Sequence, residues 1–194
     1  MAATTTSLPT GCREICHIDL QKDKKLMLLV NLLALAIMLI MGGIGHRLVP
    51  LETLFDMESL ALYALRFIVL IGGIIIYLVL HELVHGIFMR GFSGVRPHYG
   101  FTGLYAYAGN TAYFNKKHYI IIALAPVVIW GIVLAALTAL VPEGWFWPVY
   151  FIQIANISGA AGDLYVFWRL GRMSPEILIN DTGVAMTVYL PEAA

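Results

Sequence analysis

The sequence predicts an all-α polytopic membrane protein: four transmembrane helices, a short β-hairpin or re-entrant loop, and a small cytoplasmic β tail. Three observations carry that expectation. Hydrophobic residues fill 60% of the 194 positions and charged residues only 12%, whereas soluble domains carry about a quarter charged residues. Four apolar stretches, each close to the ~20 residues that cross a bilayer, recur along the chain. If those stretches alternate in direction, ten of the twelve lysines and arginines fall on one side. The formal net charge is zero, and with no basic surface or nucleic-acid fold signature the chain is not a nucleic-acid binder.

Residues 1–25 read as a cytoplasmic N-terminal arm holding Cys12 and Cys16. Two cysteines make no disulfide framework, and without a second Cys/His pair beside them they are a weak metal signal. They read as plain arm residues, with lipidation or redox chemistry as the lesser alternative. The first span is 26–45, LMLLVNLLALAIMLIMGGIG. No small-x-small cleavage site follows it, so it reads as an uncleaved anchor. The second is 66–90, bounded by Arg66 and Arg90, with HELVHG in its C-terminal third; Arg66 reads as a boundary residue whose head snorkels to water. The third is 119–140, where Pro126 predicts a kink. The fourth is 147–168, bracketed by Trp147 and Trp168, a residue type that suits the two interfaces. Together these make a transmembrane domain over 26–170.

The loop 91–118 is rich in Gly and Tyr and alternates partly in LYAYA, from Leu104 to Ala108. That pattern predicts a β-hairpin or a re-entrant loop at the inner membrane face, where irregular backbone must be buried in protein or line a wet cavity. The cytoplasmic tail, 171–194, contains EILINDTGVAMTVYLP (176–191), which reads as two short strands around a turn at 180–183. With the N-terminus inside, Arg13, Lys22, Lys24, Lys25, Arg90, Arg96, Lys116, Lys117, Arg169 and Arg172 are cytoplasmic, and only Arg47 and Arg66 lie outside. The positive-inside rule therefore puts both chain ends in the cytoplasm. The small size and the lack of a targeting signal suit a multi-pass protein of a prokaryotic plasma membrane.

HELVHG, residues 81–86, sets two histidines and a glutamate in an otherwise uncharged run. Ionisable groups at membrane depth are costly and by default mark function. Positions four apart share a helix face, so His81 and His85 can aim a ring nitrogen at one ion. Glu82 is placed to act as general base without taking a coordination place, the H-E-x-x-H arrangement of zinc hydrolases. Zinc suits imidazole and carboxylate donors. The bland reading, a polar packing motif, would leave all three groups seeking partners in hydrocarbon.

A catalytic zinc takes a third protein ligand. Glu52, Asp56, Glu58 and Glu143 fall on the outer side, and His98 and His118 lie in or beside the inner loop. Asp163 is the carboxylate within the fourth span. At about 1.5 Å per residue, His81 lies ~13 Å inward from Arg90, His85 ~7 Å, and Asp163 ~9 Å inward from Arg169. The three groups thus share a level. Ser158-Gly-Ala-Ala-Gly162, just before Asp163, has the small-xxx-small spacing that lets helices approach closely. The alternative is plain helix packing with Asp163 bonded elsewhere. Asn156, two turns earlier on roughly the same face, either bonds substrate or an oxyanion or makes an interhelical hydrogen bond.

HELVHG in one span, a proline-containing span after it and an aspartate in the span after that together resemble the site-2 protease family of intramembrane metalloproteases. The chain resembles more closely a family of membrane zincin peptidases in which a Gly-Asp pair follows a small-residue run, as Gly162-Asp163 does here. The likeness covers roughly 60–170. It implies that His81, His85 and Asp163 bind zinc and that Glu82 activates a zinc-bound water. Asn156 sits where site-2 proteases carry an asparagine before their aspartate, although the N-x-x-P context and Asp-Gly order of those enzymes are absent.

The function expected is intramembrane proteolysis by zinc and Glu82, with the bilayer and a membrane-protein or peptide segment as partners. The 91–118 stretch would accept an unwound substrate as an added strand. One alternative is a catalytically silent zinc-binding protein that regulates or chaperones a partner, though such a protein has no need of Glu82. A transporter ranks last, because the ionisable groups cluster at one depth rather than crossing the membrane.

Overall fold

A computed structural model describes residues 3–19, 21–103 and 105–191. Leu104, which opens the LYAYA stretch, and the last three residues of the tail lie outside the described residues.

Three long helices dominate: α1 (Lys24–Leu48), α2 (Leu60–Ser93) and α3 (Lys116–Leu140), each long and apolar enough to cross a membrane. Each starts at a side chain that accepts orphan N–H groups of the first turn. Asp23 Oδ1 accepts from Lys25 and Leu26 at 3.0 Å, Ser59 Oγ from Leu62 at 3.2 Å, and Asn115 Oδ1 from His118 at 2.8 Å. Helix α2 stops at Gly94, whose φ of +74° and N–H bond to the Arg90 carbonyl make the left-handed cap that glycine favours. Pro126 stands inside α3 without ending it.

The expected fourth span, 147–168, is not one helix. Helix α4 (Phe146–Gly159) and α5 (Ala161–Gly171) are separated at Ala160, whose φ of −82° and ψ of 15° leave the helical region. The small-residue run is the physical reason. Glycine is a poor helix former, and Ser158 Oγ bonds back to the Ile154 carbonyl at 2.7 Å, which loosens a helix. Asp163 therefore sits in the first turn of a short helix rather than midway along a long one.

By internal contacts the chain forms two compact units. The first comprises 1–29, 82–126 and 163–194. It holds an antiparallel sheet in the order β1-β6-β5-β4, made of β1 (Cys12–Ile18), β4 (Tyr113–Asn115), β5 (Leu178–Asp181) and β6 (Met186–Pro191). It also holds the hairpin of β2 (His98–Phe101) and β3 (Ala106–Gly109), in register His98 to Gly109. The hairpin expected in 91–118 and the two strands expected in the tail are both present. Strands β1, in the arm, and β4, just before α3, are additional. Phe114, Ile177, Ile179, Val188, Met89, Ile122 and Leu170 form the core of this unit.

The second unit comprises 30–81 and 127–162. Its core is Leu54, Phe146, Trp147, Tyr150 and Ile154, with a second cluster of Tyr77, Leu134 and Ile152. Gly45 lets α1 approach α4: a Cβ there would lie 2.4 Å from the Tyr150 ring, and Tyr150 donates its hydroxyl hydrogen to the Met41 carbonyl at 2.9 Å. Arg66 does not snorkel. It is 2% exposed, paired with Glu58 at 2.8 Å and bonded to the Asp56 carbonyl at 3.0 Å. These acceptors, supplied by the connection just before α2, make burial of the guanidinium tolerable.

Candidate metal centre

Helix α2 runs unbroken through HELVHG, so the four-residue spacing does what the sequence predicts. The ligand atoms of His81, Glu82 and His85 all lie within 4.8 Å of one another, with both histidines buried and Glu82 half-buried. Gly86 completes the motif for a steric reason. A Cβ at that position would meet the Tyr99 hydroxyl at 2.0 Å, so the glycine lets β2 lie against this turn of the helix.

His85 is held from two sides. Its Nδ1 lies 2.9 Å from the Ile122 carbonyl. Its Nε2 stands 3.6 Å from Asp163 Oδ1. A carbonyl only accepts, so Nδ1 donates and the neutral ring carries its lone pair on Nε2. Facing Asp163 Oδ1 across 3.6 Å, Nε2 carries either a proton, as in an ion pair, or a cation held between the two groups. Two donors bound to tetrahedral zinc at about 2.0–2.1 Å stand roughly 3.3 Å apart, close to the separation seen. Imidazole with carboxylate is a donor set that zinc takes. The His85–Asp163 pair fits the metal, while Asp163 stands outside the His81-Glu82-His85 group whose ligand atoms share the 4.8 Å limit.

His81 is 7% exposed, and its Nδ1 lies 2.7 Å from the Tyr77 hydroxyl. Tyr77 in turn donates to Asn156 Oδ1 at 3.0 Å. Asn156, fully buried, donates through Nδ2 to the Val127 carbonyl at 3.2 Å and to Gln153 Oε1 at 3.4 Å. Gln153 Nε2 donates to the Gly131 carbonyl at 3.1 Å. Of the two sequence readings of Asn156, interhelical hydrogen bonding is the one these contacts display.

Of the other sequence candidates, His98, His118 and Glu58 are engaged elsewhere. His98 Nε2 lies 3.2 Å from the Thr182 carbonyl. His118 stacks on Phe92, and its Nδ1 lies 2.7 Å from Thr4 Oγ1. Glu58 pairs with Arg66. Sequence reasoning missed Tyr77 and Gln153. The available signal was spacing, since Tyr77 is four residues before His81 and Gln153 three before Asn156, the separations at which helical side chains meet.

Comparison with known proteins adds one match. The family model described as "Putative zincin peptidase" matches residues 74–178, more than half of the chain. The matched stretch contains HELVHG, Pro126, Asn156 and Asp163. Neither the curated proteins nor the solved structures include a match.

Proposed function

The chain belongs to the zincin peptidase family, and on that footing we propose that it is an intramembrane zinc metalloprotease akin to the site-2 proteases. It hydrolyses peptide bonds in or beside membrane-embedded segments. One observation supports this most: the His-Glu-His group lies in the C-terminal half of α2, a helix long and apolar enough to cross a membrane. His81, His85 and Asp163 hold the metal. Zinc, when bound, supplies Lewis acidity toward the scissile carbonyl and a water nucleophile near neutral pH. Glu82 accepts the proton of the attacking water and hands it to the leaving amine. Both chain ends lie on the cytoplasmic side of the membrane, as the Lys/Arg distribution indicates.

A helical substrate protects its own peptide groups, so the segment to be cut must unwind. The β2–β3 hairpin follows α2 directly, and its strand edge can pair with the freed N–H and C=O groups.

The test joins zinc content of the detergent-purified protein to cleavage of reconstituted single-span test proteins. About one zinc per chain is expected, as for a three-ligand catalytic site, and it should be lost in His81→Ala and in Asp163→Ala. Glu82→Gln should keep the metal and lose cleavage by about 10²–10⁴-fold, the usual contribution of a general base. Zinc without cleavage in the wild type would transfer the assignment to a silent zinc-binding regulator, and absence of zinc would remove the enzyme assignment. In the same assay Ala106→Pro, which deletes an N–H from β3, should slow cleavage; unchanged rates would remove the strand-addition step.

A further inference from the structure

We infer that the main-chain carbonyls of α3 fix the tautomers of both zinc-binding histidines, with Pro126 and Tyr77 as positioning residues. The inference rests on the reading of His81 and His85 as ligands. It adds why Nε2, rather than Nδ1, is the nitrogen each presents.

For His85 the device is a proline. In an α-helix each carbonyl accepts the N–H four residues on. Pro126 is four residues after Ile122 and has no N–H to give. The Ile122 carbonyl is thereby released inside its own helix, and it is the carbonyl that His85 Nδ1 reaches at 2.9 Å. An ordinary residue at 126 would compete for this acceptor. The proline thus has a chemical consequence beyond the kink that its presence in a helix suggests.

For His81 the device is a relay of amides. The Gly131 carbonyl takes Gln153 Nε2, which turns Gln153 Oε1 toward Asn156 Nδ2. The Val127 carbonyl takes the same Nδ2. With two acceptors around its NH₂ group, the Asn156 amide has one sensible orientation, and Oδ1 faces Tyr77. An amide oxygen only accepts, so the single hydrogen of the Tyr77 hydroxyl goes there. The His81 Nδ1 on the other side of that hydroxyl, at 2.7 Å, must then be the donor. Both rings carry the hydrogen on Nδ1 and the lone pair on Nε2, each through a chain of bonds that ends on α3 backbone. Outer partners of this kind orient ligands and typically control about 10–100-fold of metal affinity.

The experiment uses the full-length protein in detergent, with ¹⁵N-labelled histidine spectra of the metal-free form and zinc affinity by chelator competition. Tyr77→Phe should weaken zinc about 10–100-fold and move ring hydrogen off Nδ1 of His81 alone. Pro126→Ala should weaken zinc by a similar factor and change the His85 signals alone. It should not lower the unfolding temperature of the metal-free protein, because it returns an N–H to the helix. A merely structural role for Pro126 predicts the opposite pattern, lower stability with unchanged affinity and spectra. If Tyr77→Phe fails to fold, Pro126→Ala decides. Wild-type zinc affinity in the folded variants overturns the inference, whereas a wild type that binds no zinc overturns the functional reading on which it rests.

Discussion

Tyr119 donates its hydroxyl hydrogen to Asp181 Oδ2, and the Gly183 N–H reaches Oδ1 at 2.7 Å. Burial pushes the Asp181 carboxyl above the ordinary aspartate range, and these two bonds offset the push only in part. An acid with a raised folded-state pKa binds its proton more tightly when folded. The stability from that proton is complete below the unfolded value of about 3.9 and is lost as pH rises through the folded value. Asp181→Asn cannot ionise, so the difference in melting temperature, variant minus wild type in metal-stripped protein, should grow as pH is raised from about 4 to 7. A flat difference would mean that burial does not perturb this carboxyl. Single residues also show what a sequence reveals about a site. His81, Glu82 and His85 were readable because one helical turn sets their geometry. The level of Asp163 singled it out, and the structure places its Oδ1 3.6 Å from His85 Nε2. Tyr77 and Gln153 were not readable, because their role depends on the bonds that Tyr77 makes to Asn156 and that Gln153 and Asn156 make to α3 carbonyls, and tertiary packing decides those.

Among the elements, the strands divide by burial. Strands β5 and β6 were predictable because inward positions such as Ile179, Met186 and Val188 stand out around a turn. Strand β1 buries only its last residue, so CREICHI shows no alternation that would mark it. It is held by main-chain pairing to β6. The break at Ala160 was hidden for a different reason. Gly, Ala and Ser are compatible with an apolar span and read as a close-packing run, so hydropathy passes over them while helix propensity does not. Two glycine substitutions follow with opposite signs. At Gly109 a Cβ would lie 2.4 Å from the Thr182 carbonyl oxygen, a backbone atom that cannot swing aside. Gly109→Ala should cost about 1–3 kcal/mol, as overpacking does. Around Gly159 nothing lies within 4 Å of an added Cβ, and Gly159→Ala should stabilise α4 by about 0.5–1 kcal/mol. Equilibrium unfolding in detergent measures both. A stabilised Gly109→Ala would show that the β3 exit tolerates a side chain, and a destabilised Gly159→Ala that the break needs glycine.

Over the whole molecule, strand pairing constrains how often the chain crosses a bilayer. Strand β1 pairs with β6, so these two strands share a side, and any bilayer crossings between them must be even in number. If all three long helices cross, the return falls to the α4–α5 stretch. Helix α4 has 14 residues and α5 has 11, about 21 Å and about 17 Å of helix at ~1.5 Å per residue, so neither alone matches the ~30 Å hydrocarbon core. Sorted over four alternating stretches, the Lys/Arg distribution predicts the direction, ends inside. Labelling tests both claims, because Cys12 and Cys16 are the chain's two cysteines and Cys12→Ser with Cys16→Ser gives a clean background. In intact cells an impermeant maleimide should label Glu52→Cys and Glu143→Cys, in the two short connections, and leave Ser7→Cys and Glu176→Cys unlabelled until the membrane is opened. The reverse pattern would invert the orientation and keep the even count. Labelling that separates position 7 from position 176 would contradict the β1–β6 pairing itself, and with it the sheet.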